Sequence, residues 1–71
     1  MDDKKLVYMA NQIGKAFAYQ DEAASVASIA GHIRSFWEPR MKKAILAYEQ
    51  AGGTGLDSRV LAAVRSLRPA Q

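Results

Sequence analysis

Hydrophobic residues recur along the chain in four segments with the three-to-four-residue spacing of amphipathic helices. The first two segments have apolar residues at offsets 0, 3, 4, 7, 10 and 11 from Leu6 and from Val26. Shorter stripes begin at Met41 and at Val60, and no segment shows the two-residue alternation of a strand. We therefore predict an all-α fold, a small bundle of four short helices joined by tight turns.

The residues between the stripes are typical of helix ends. Asp21 and Asp57 are predicted N-caps. Pro39 ends the second helix and suits the first turn of a third. Gly52 and Gly53 can adopt the left-handed conformation of a helix C-cap. We predict a single helical domain over residues 1–71, with helices at roughly 2–20, 22–37, 39–51 and 58–68.

The predicted buried faces follow from the stripes. The first helix contributes Leu6, Met9, Ala10, Ile13, Ala16 and Phe17. The second contributes Val26, Ile29, Ala30, Ile33, Phe36 and Trp37. Gly14 lies beside the first stripe, and close approach of another helix would explain it.

A chain of 71 residues forms a small core, and the composition excludes most of the usual reinforcements. The absence of cysteine excludes disulfides and iron–sulfur ligation, and a single histidine, His32, argues against an all-protein zinc site. We therefore expect another protein chain, or self-association, to stabilise the fold. A core of this size rarely nets more than about 3–5 kcal/mol by itself.

The charge is mildly basic, at +3 with a pI near 9.5. This falls short of the asymmetry of a dedicated nucleic-acid arm. No run approaches the length of a membrane span, and the N-terminus does not resemble a signal peptide. We expect a cytoplasmic protein with no membrane partner and no nucleic-acid partner.

The inventory for catalysis is poor. There is no cysteine nucleophile, no nucleophile-elbow motif and no phosphate loop. We expect no catalytic, cofactor-binding or metal-binding residues, and no enzyme activity for the chain on its own. His32 lies on the flank of the second stripe, which indicates a boundary histidine bonded to backbone or to a partner. A proton shuttle or a metal ligand is the alternative.

Several side chains lie outside the predicted core. Tyr8, Gln12 and Tyr19 share the far face of the first helix, and tyrosine is enriched at interfaces. Trp37 fits the stripe of the second helix but is too large to be hidden easily in a core of this size, so burial and a role as an interface anchor both remain open for it. Exposed tyrosines without a partner are also common, so both readings remain open for this face.

Basic residues gather around the turn between the second and third helices, namely Arg34, Arg40, Lys42 and Lys43. A solvated face is the commonest meaning of such a cluster, and contact with phosphate or with an acidic protein surface is the alternative. Arg40 and the adjacent Met41 are the residues expected to contact a partner, because Arg40 can pair bidentately with a carboxylate. A small helix-turn-helix regulator is the nucleic-acid alternative. The third helix, however, offers few side chains suited to reading bases. Its polar residues Glu49 and Gln50 are expected to be exposed.

Three blocks of sequence resemble one family. They are Met9-Ala10-Asn11-Gln12-Ile13, the corner Phe36-Trp37-Glu38-Pro39-Arg40-Met41, and Gly52-Gly53-Thr54-Gly55-Leu56-Asp57. In this order, from about Lys5 to Leu67, they resemble the delta subunit of the soluble NAD-dependent, molybdenum-containing formate dehydrogenase. The family commonly has aspartate where Glu38 stands and proline where Ser58 stands; both differences concern helix starts.

The resemblance implies a non-catalytic accessory subunit that stabilises the complex or aids its maturation. The implied holoenzyme uses molybdenum pterin, iron–sulfur clusters, flavin and NAD, all held by other subunits, and oxidises formate to carbon dioxide. The implied partner is the large catalytic subunit. The hypothetical contact residues are Tyr8, Gln12, Tyr19, Trp37, Arg40 and Met41. A DNA-binding regulator and a free-standing helical homo-oligomer remain the alternatives.

Overall fold

The computed structural model describes residues 2–69 as four helices packed around one core. The helices are α1 (Asp3–Ala16), α2 (Glu22–Phe36), α3 (Pro39–Gln50) and α4 (Ser58–Ser66). No strand occurs among the described residues. The predicted all-α bundle is confirmed.

The helix starts use the side chains that the sequence places there. Asp2 caps α1 by accepting a hydrogen bond from the Lys4 amide at 3.0 Å. Asp21 caps α2 through the Ala24 amide at 2.8 Å. Pro39 opens α3 at the first helical position, where its missing N–H would have had no intrahelical partner.

The C-terminus of α3 ends in a two-glycine turn. Gly52 has a φ of 125° and Gly53 a φ of 64°. Residues with a Cβ rarely adopt these positive values. Their amides donate to the carbonyls of Glu49 and Tyr48, each at 3.0 Å. This is the Schellman pattern, which satisfies the last carbonyls of a helix.

The core lies where α2 packs along α4, with α1 on α3 and α3 on α4 completing the bundle. Its fully buried large side chains come from all four helices: Leu6, Ile29, Ile33, Ile45, Val60 and Val64. Leu46, which is about 100° around α3 from the buried Ile45, also packs against this core. One polar group is buried without a partner among the described residues, the hydroxyl of Ser25.

At Gly14, α1 packs closely against α4. A Cβ at this position would lie 2.6 Å from Val60 Cγ2 and 3.9 Å from Ile29 Cδ1. The first distance is shorter than any real carbon–carbon contact. The explanation of Gly14 by close helix packing is confirmed, because a methyl group there would push the buried Val60 aside.

Asn11 fastens the α3–α4 loop to α1. Its Nδ2 donates to the Gly55 carbonyl at 2.9 Å, and its Oδ1 accepts from the Asp57 amide at 3.0 Å. Asp57 occupies the N-cap position of α4, but its own side chain makes no capping bond. One amide side chain on α1 thus positions the loop that starts α4.

The first helix ends earlier than predicted, at Ala16 rather than at residue 20. The next residues form turns with i+3 hydrogen bonds, from Ala18 to the Lys15 carbonyl and from Gln20 to the Phe17 carbonyl. Gln20 is held out of the helix by tertiary contacts. Its carbonyl accepts from Arg59 at 3.0 Å, and its side chain accepts from Ser28 at 2.8 Å.

Two residues of the predicted buried faces are exposed. Ala16 ends α1 in solvent, and Phe36 is 74 % exposed. At 100° per residue, Phe36 lies about 60° from the buried Ile33, toward the His32 side of α2. Because α2 ends at Phe36 and the backbone turns extended at the next residue, the ring of Phe36 is left at the edge of the core.

Within residues 2–69, none of the helices combines the length and the apolar character that crossing a bilayer requires.

Candidate partner interface

Two of the predicted contact residues on α1 lie side by side in the structure. Gln12 Nε2 donates a hydrogen bond to the Tyr8 hydroxyl at 2.8 Å, one helical turn away. Tyr8 is 63 % exposed and Gln12 is also exposed. The pair therefore presents an ordered aromatic and amide surface to solvent.

Tyr19 is highly exposed, at 81 %, but it does not lie on the α1 face with Tyr8. The helix ends at Ala16, and Tyr19 belongs to the turn that leads to α2. The prediction of a shared helical face is wrong for this residue, because the tertiary contacts of Gln20 end α1 before Tyr19 is reached.

Trp37 is buried, contrary to the expectation that it is too large to be hidden. Only 7 % of the residue is exposed, and it belongs to the core cluster. Its amide donates to the Ile33 carbonyl at 3.0 Å and ends α2. The indole closes the core at the α2–α3 corner, so it is not displayed as an interface anchor in this conformation.

Arg40 and Met41 differ in exposure although they are adjacent in α3. Arg40 is exposed in the first turn, whereas Met41 is half-buried and packs against the core. Lys43 lies one turn from Arg40 and is also exposed. The solvent side of the α3 start is therefore basic, while its inner side supports the fold.

An aromatic cluster that the sequence did not predict lies between the end of α1 and α2. The His32 ring packs against Phe36 with ring centroids 4.8 Å apart, and against Phe17 edge-on at 6.3 Å. His32 is half-buried, in keeping with the predicted boundary position. The signal that could have located the cluster is the spacing of His32 and Phe36, one turn apart at the edge of the stripe.

A buried carboxylate was also missed. Glu49, predicted to be an exposed residue of the third helix, is only 4 % exposed. Arg65 Nε donates to Glu49 Oε2 at 3.0 Å, and Arg68 Nε donates to Oε1 at 2.9 Å, with a second bond from Arg68 Nη2. The hydrogen bonds from Arg65 and then Arg68 lower the pKa of Glu49, against the opposing effect of burial. The cluster joins the C-terminal ends of α3 and α4.

A cavity of about 290 Å³ lies between α1 and the start of α4 and includes Ser58 and Arg59 in its lining. A catalytic nucleophile requires a base within hydrogen-bond reach. Within residues 2–69, Ser58 makes no side-chain hydrogen bond to any base, and Arg59 is engaged with the Gln20 carbonyl.

The chain was compared with known proteins. The family model described as NADH-dependent formate dehydrogenase delta subunit FdsD matches residues 5–64. Searches of curated proteins and of solved structures found no match. The matched region extends from the first turn of α1 through Val64 of α4, and so includes nearly the whole core. The chain belongs to the family of NADH-dependent formate dehydrogenase delta subunits.

Proposed function

We propose that this chain is a non-catalytic accessory subunit of a cytoplasmic NAD-dependent formate dehydrogenase. It binds the large molybdenum-containing subunit and stabilises the assembled enzyme or aids its maturation. The observation that carries the proposal is the family match over residues 5–64. The chain itself contributes binding, while molybdenum pterin, iron–sulfur clusters, flavin and NAD belong to the other subunits.

The exposed residues support a binding role. Among residues 2–69, the exposed large hydrophobic residues are Tyr8, Tyr19 and Phe36. Aromatic side chains are favoured in the buried centre of interfaces. In the proposed complex Tyr8, Gln12 and Tyr19 contact a partner, as do Arg40 and the exposed edge of Met41. Trp37 acts from beneath by holding the corner in shape.

The proposed mechanism is thermodynamic linkage. A subunit that binds only the folded, assembled partner stabilises that state. Well above Kd, the stabilisation grows with the logarithm of the ratio of the subunit's concentration to Kd. At a hundredfold excess over Kd the stabilisation is about 2.7 kcal/mol. No chemical step is required of this chain.

The test is to purify the formate dehydrogenase with and without co-expression of this chain. We expect the enzyme lacking the chain to show a lower yield of assembled complex and lower formate-dependent NAD reduction. Adding the purified chain afterwards separates the two roles. Recovery of activity supports stabilisation, whereas a molybdenum-poor enzyme that does not recover supports maturation. Identical yield, metal content and activity in both preparations would contradict the proposal.

A further inference from the structure

The net charge of the molecule is concentrated at one corner. Residues 34–43, which connect α2 to α3, contain the four cations Arg34, Arg40, Lys42 and Lys43 and one anion, Glu38. Their net charge of +3 equals that of the entire chain. The remaining residues contain six cations and six anions and are neutral together.

The cations of this corner have no carboxylate partner within residues 2–69. The salt bridges of the described chain are those of Glu49 with Arg65 and Arg68, at the opposite end of α3. Arg40 and Lys43 are exposed one turn apart, and Lys42 donates to the Arg34 carbonyl at 3.3 Å. The positive potential of the corner is therefore not neutralised within the fold.

Phe36 projects from the same segment. Phe36 and its sequence neighbour Trp37 differ sharply in exposure, since Phe36 is 74 % exposed and Trp37 is 7 % exposed. The His32 ring supports one side of Phe36 at 4.8 Å and is itself supported by Phe17. The exposed ring is therefore held at a fixed helix end, which lowers the entropy lost when a partner encloses it.

We propose that Phe36, Arg40 and Lys43 form a docking surface for an acidic protein surface on the partner subunit. The Phe36 ring enters an apolar pocket, and carboxylates around that pocket pair with Arg40 and Lys43. This assignment rests on the proposed function, which makes the partner a protein. It extends that function by naming the chemistry of the surface that is recognised.

Two other classes of partner fit the surface less well. An amphipathic helix that lies on a membrane needs a broad apolar face, whereas the corner offers one exposed ring. A nucleic acid would use the cations, but a net charge of three is small, and one ring already covered by His32 is a limited stacking platform. Charge complementarity combined with a single anchor side chain favours a protein pocket.

The experiment is capture of the formate dehydrogenase by the tagged full-length chain during co-expression. Arg40→Glu is compared with Lys4→Glu, since Arg40 and Lys4 are each exposed at the second position of a helix, α3 and α1 respectively. The two variants change the net charge equally and place a carboxylate at the same helical position. Phe36→Ser is compared with Phe36→Leu, which retains an apolar side chain.

We expect Arg40→Glu and Phe36→Ser to reduce capture about tenfold or more. Phe36→Leu should reduce capture less than Phe36→Ser does, and Lys4→Glu should retain it. Far-UV circular dichroism checks that each variant folds; if Phe36→Ser unfolds, the comparison of Arg40→Glu with Lys4→Glu decides. Equal capture by all variants would refute this surface while leaving the proposed function intact. Failure of the unaltered chain to capture the enzyme would refute both.

Three controls test the class of partner. They are phosphatidylglycerol–phosphatidylcholine vesicles, a single-stranded oligonucleotide, and sedimentation of the chain alone. We expect no binding to the vesicles or the oligonucleotide at physiological salt. Sedimentation should show no dimer whose formation depends on Phe36, that is, none that the Phe36→Ser variant fails to form. Binding to either polyanion that Arg40→Glu abolishes, or such a dimer, would overturn the assignment to an acidic protein surface.

Discussion

Arg65 Nε lies 3.0 Å from Glu49 Oε2 and joins the last turn of α4 to the last turn of α3. Arg68 binds the other carboxylate oxygen. The two cations are partly exposed, at 60 % and 42 %, whereas the carboxylate side chain is 3 % exposed. The arginines therefore neutralise and solvate a charge that the core could not otherwise hold.

This cluster predicts a stability that depends on pH. The pKa of Glu49 is lowered in the folded chain from its ordinary value of 4.5, which also applies to the unfolded chain. The ionised carboxylate therefore contributes its full stabilisation at pH values above 4.5. This stabilisation is lost as the pH falls through the folded pKa. Glu49→Gln should lower the thermal midpoint at pH 7 and flatten its decline in acid. Thermal unfolding between pH 7 and pH 3 measures both effects, with the exposed Glu22→Gln as control. An equal response of the two variants would contradict the role of the cluster.

Truncation of the two adjacent aromatic residues at the α2–α3 corner should destabilise the fold by very different amounts. Trp37→Ala removes a buried indole and should cost about 3–5 kcal/mol, which is comparable to the whole stability of a domain this small. Phe36→Ala removes an exposed ring and should cost about 0.5 kcal/mol or less. Urea unfolding followed by far-UV circular dichroism measures both. A Trp37→Ala variant as stable as the unaltered chain would show that the indole is not part of the core.

Alanine substitutions at two helical glycines should have opposite effects, because Gly14 packs closely against α4 and Gly31 does not meet any neighbour. Gly14→Ala should destabilise, because overpacking against Val60 costs about 1–3 kcal/mol and outweighs the gain of up to about 1 kcal/mol in helix propensity. Gly31→Ala should stabilise, since a Cβ there meets no atom within 4 Å. Chemical denaturation gives the sign of each change. The double variant with Val60→Ala should lose much of the Gly14→Ala penalty; if it does not, the steric explanation fails.

Asn11 should be more important for stability than its exposed neighbour Gln12. Asn11→Ala removes two hydrogen bonds to the α3–α4 loop, at about 0.5–1.5 kcal/mol each. Gln12→Ala removes one bond within α1 and should change stability by about 0.5 kcal/mol or less. Hydrogen exchange at the Asp57 amide provides a local measurement. Unchanged protection of that amide in Asn11→Ala would mean that the side chain does not hold the loop.

The buried hydroxyl of Ser25 predicts a stabilising substitution. Ser25 is fully buried and its hydroxyl has no partner among the described residues, so desolvation is not compensated. Ser25→Ala should raise stability by up to about 1 kcal/mol, helped by the helix propensity of alanine. Ser28→Ala on the same helix should not, because the Ser28 hydroxyl donates to Gln20. Thermal midpoints compare the pair, and a loss of stability in Ser25→Ala would indicate an unrecognised partner of the hydroxyl.

The number of helices and three of their starts could be predicted from the sequence, because the apolar period, the caps and the two-glycine turn are local properties. The predicted starts at Glu22, Pro39 and Ser58 are those of the structure. The resemblance to the delta-subunit family was equally readable, since it depends on short blocks of residues in order. Close packing was the correct explanation for Gly14, but the same local pattern at Gly31 has open space around it, so the sequence could not separate the two glycines.

The tertiary structure alone decided which large side chains are covered. Phe36 and Trp37 both fit the stripe of α2, but the helix end and the turn into α3 place one in solvent and the other in the core. Glu49 is polar by sequence, but it is buried against Arg65 of α4 and Arg68, which follows α4. A residue's neighbours on its own helix are set by periodicity, whereas its neighbours on other helices depend on how the helices pack, and burial depends on both.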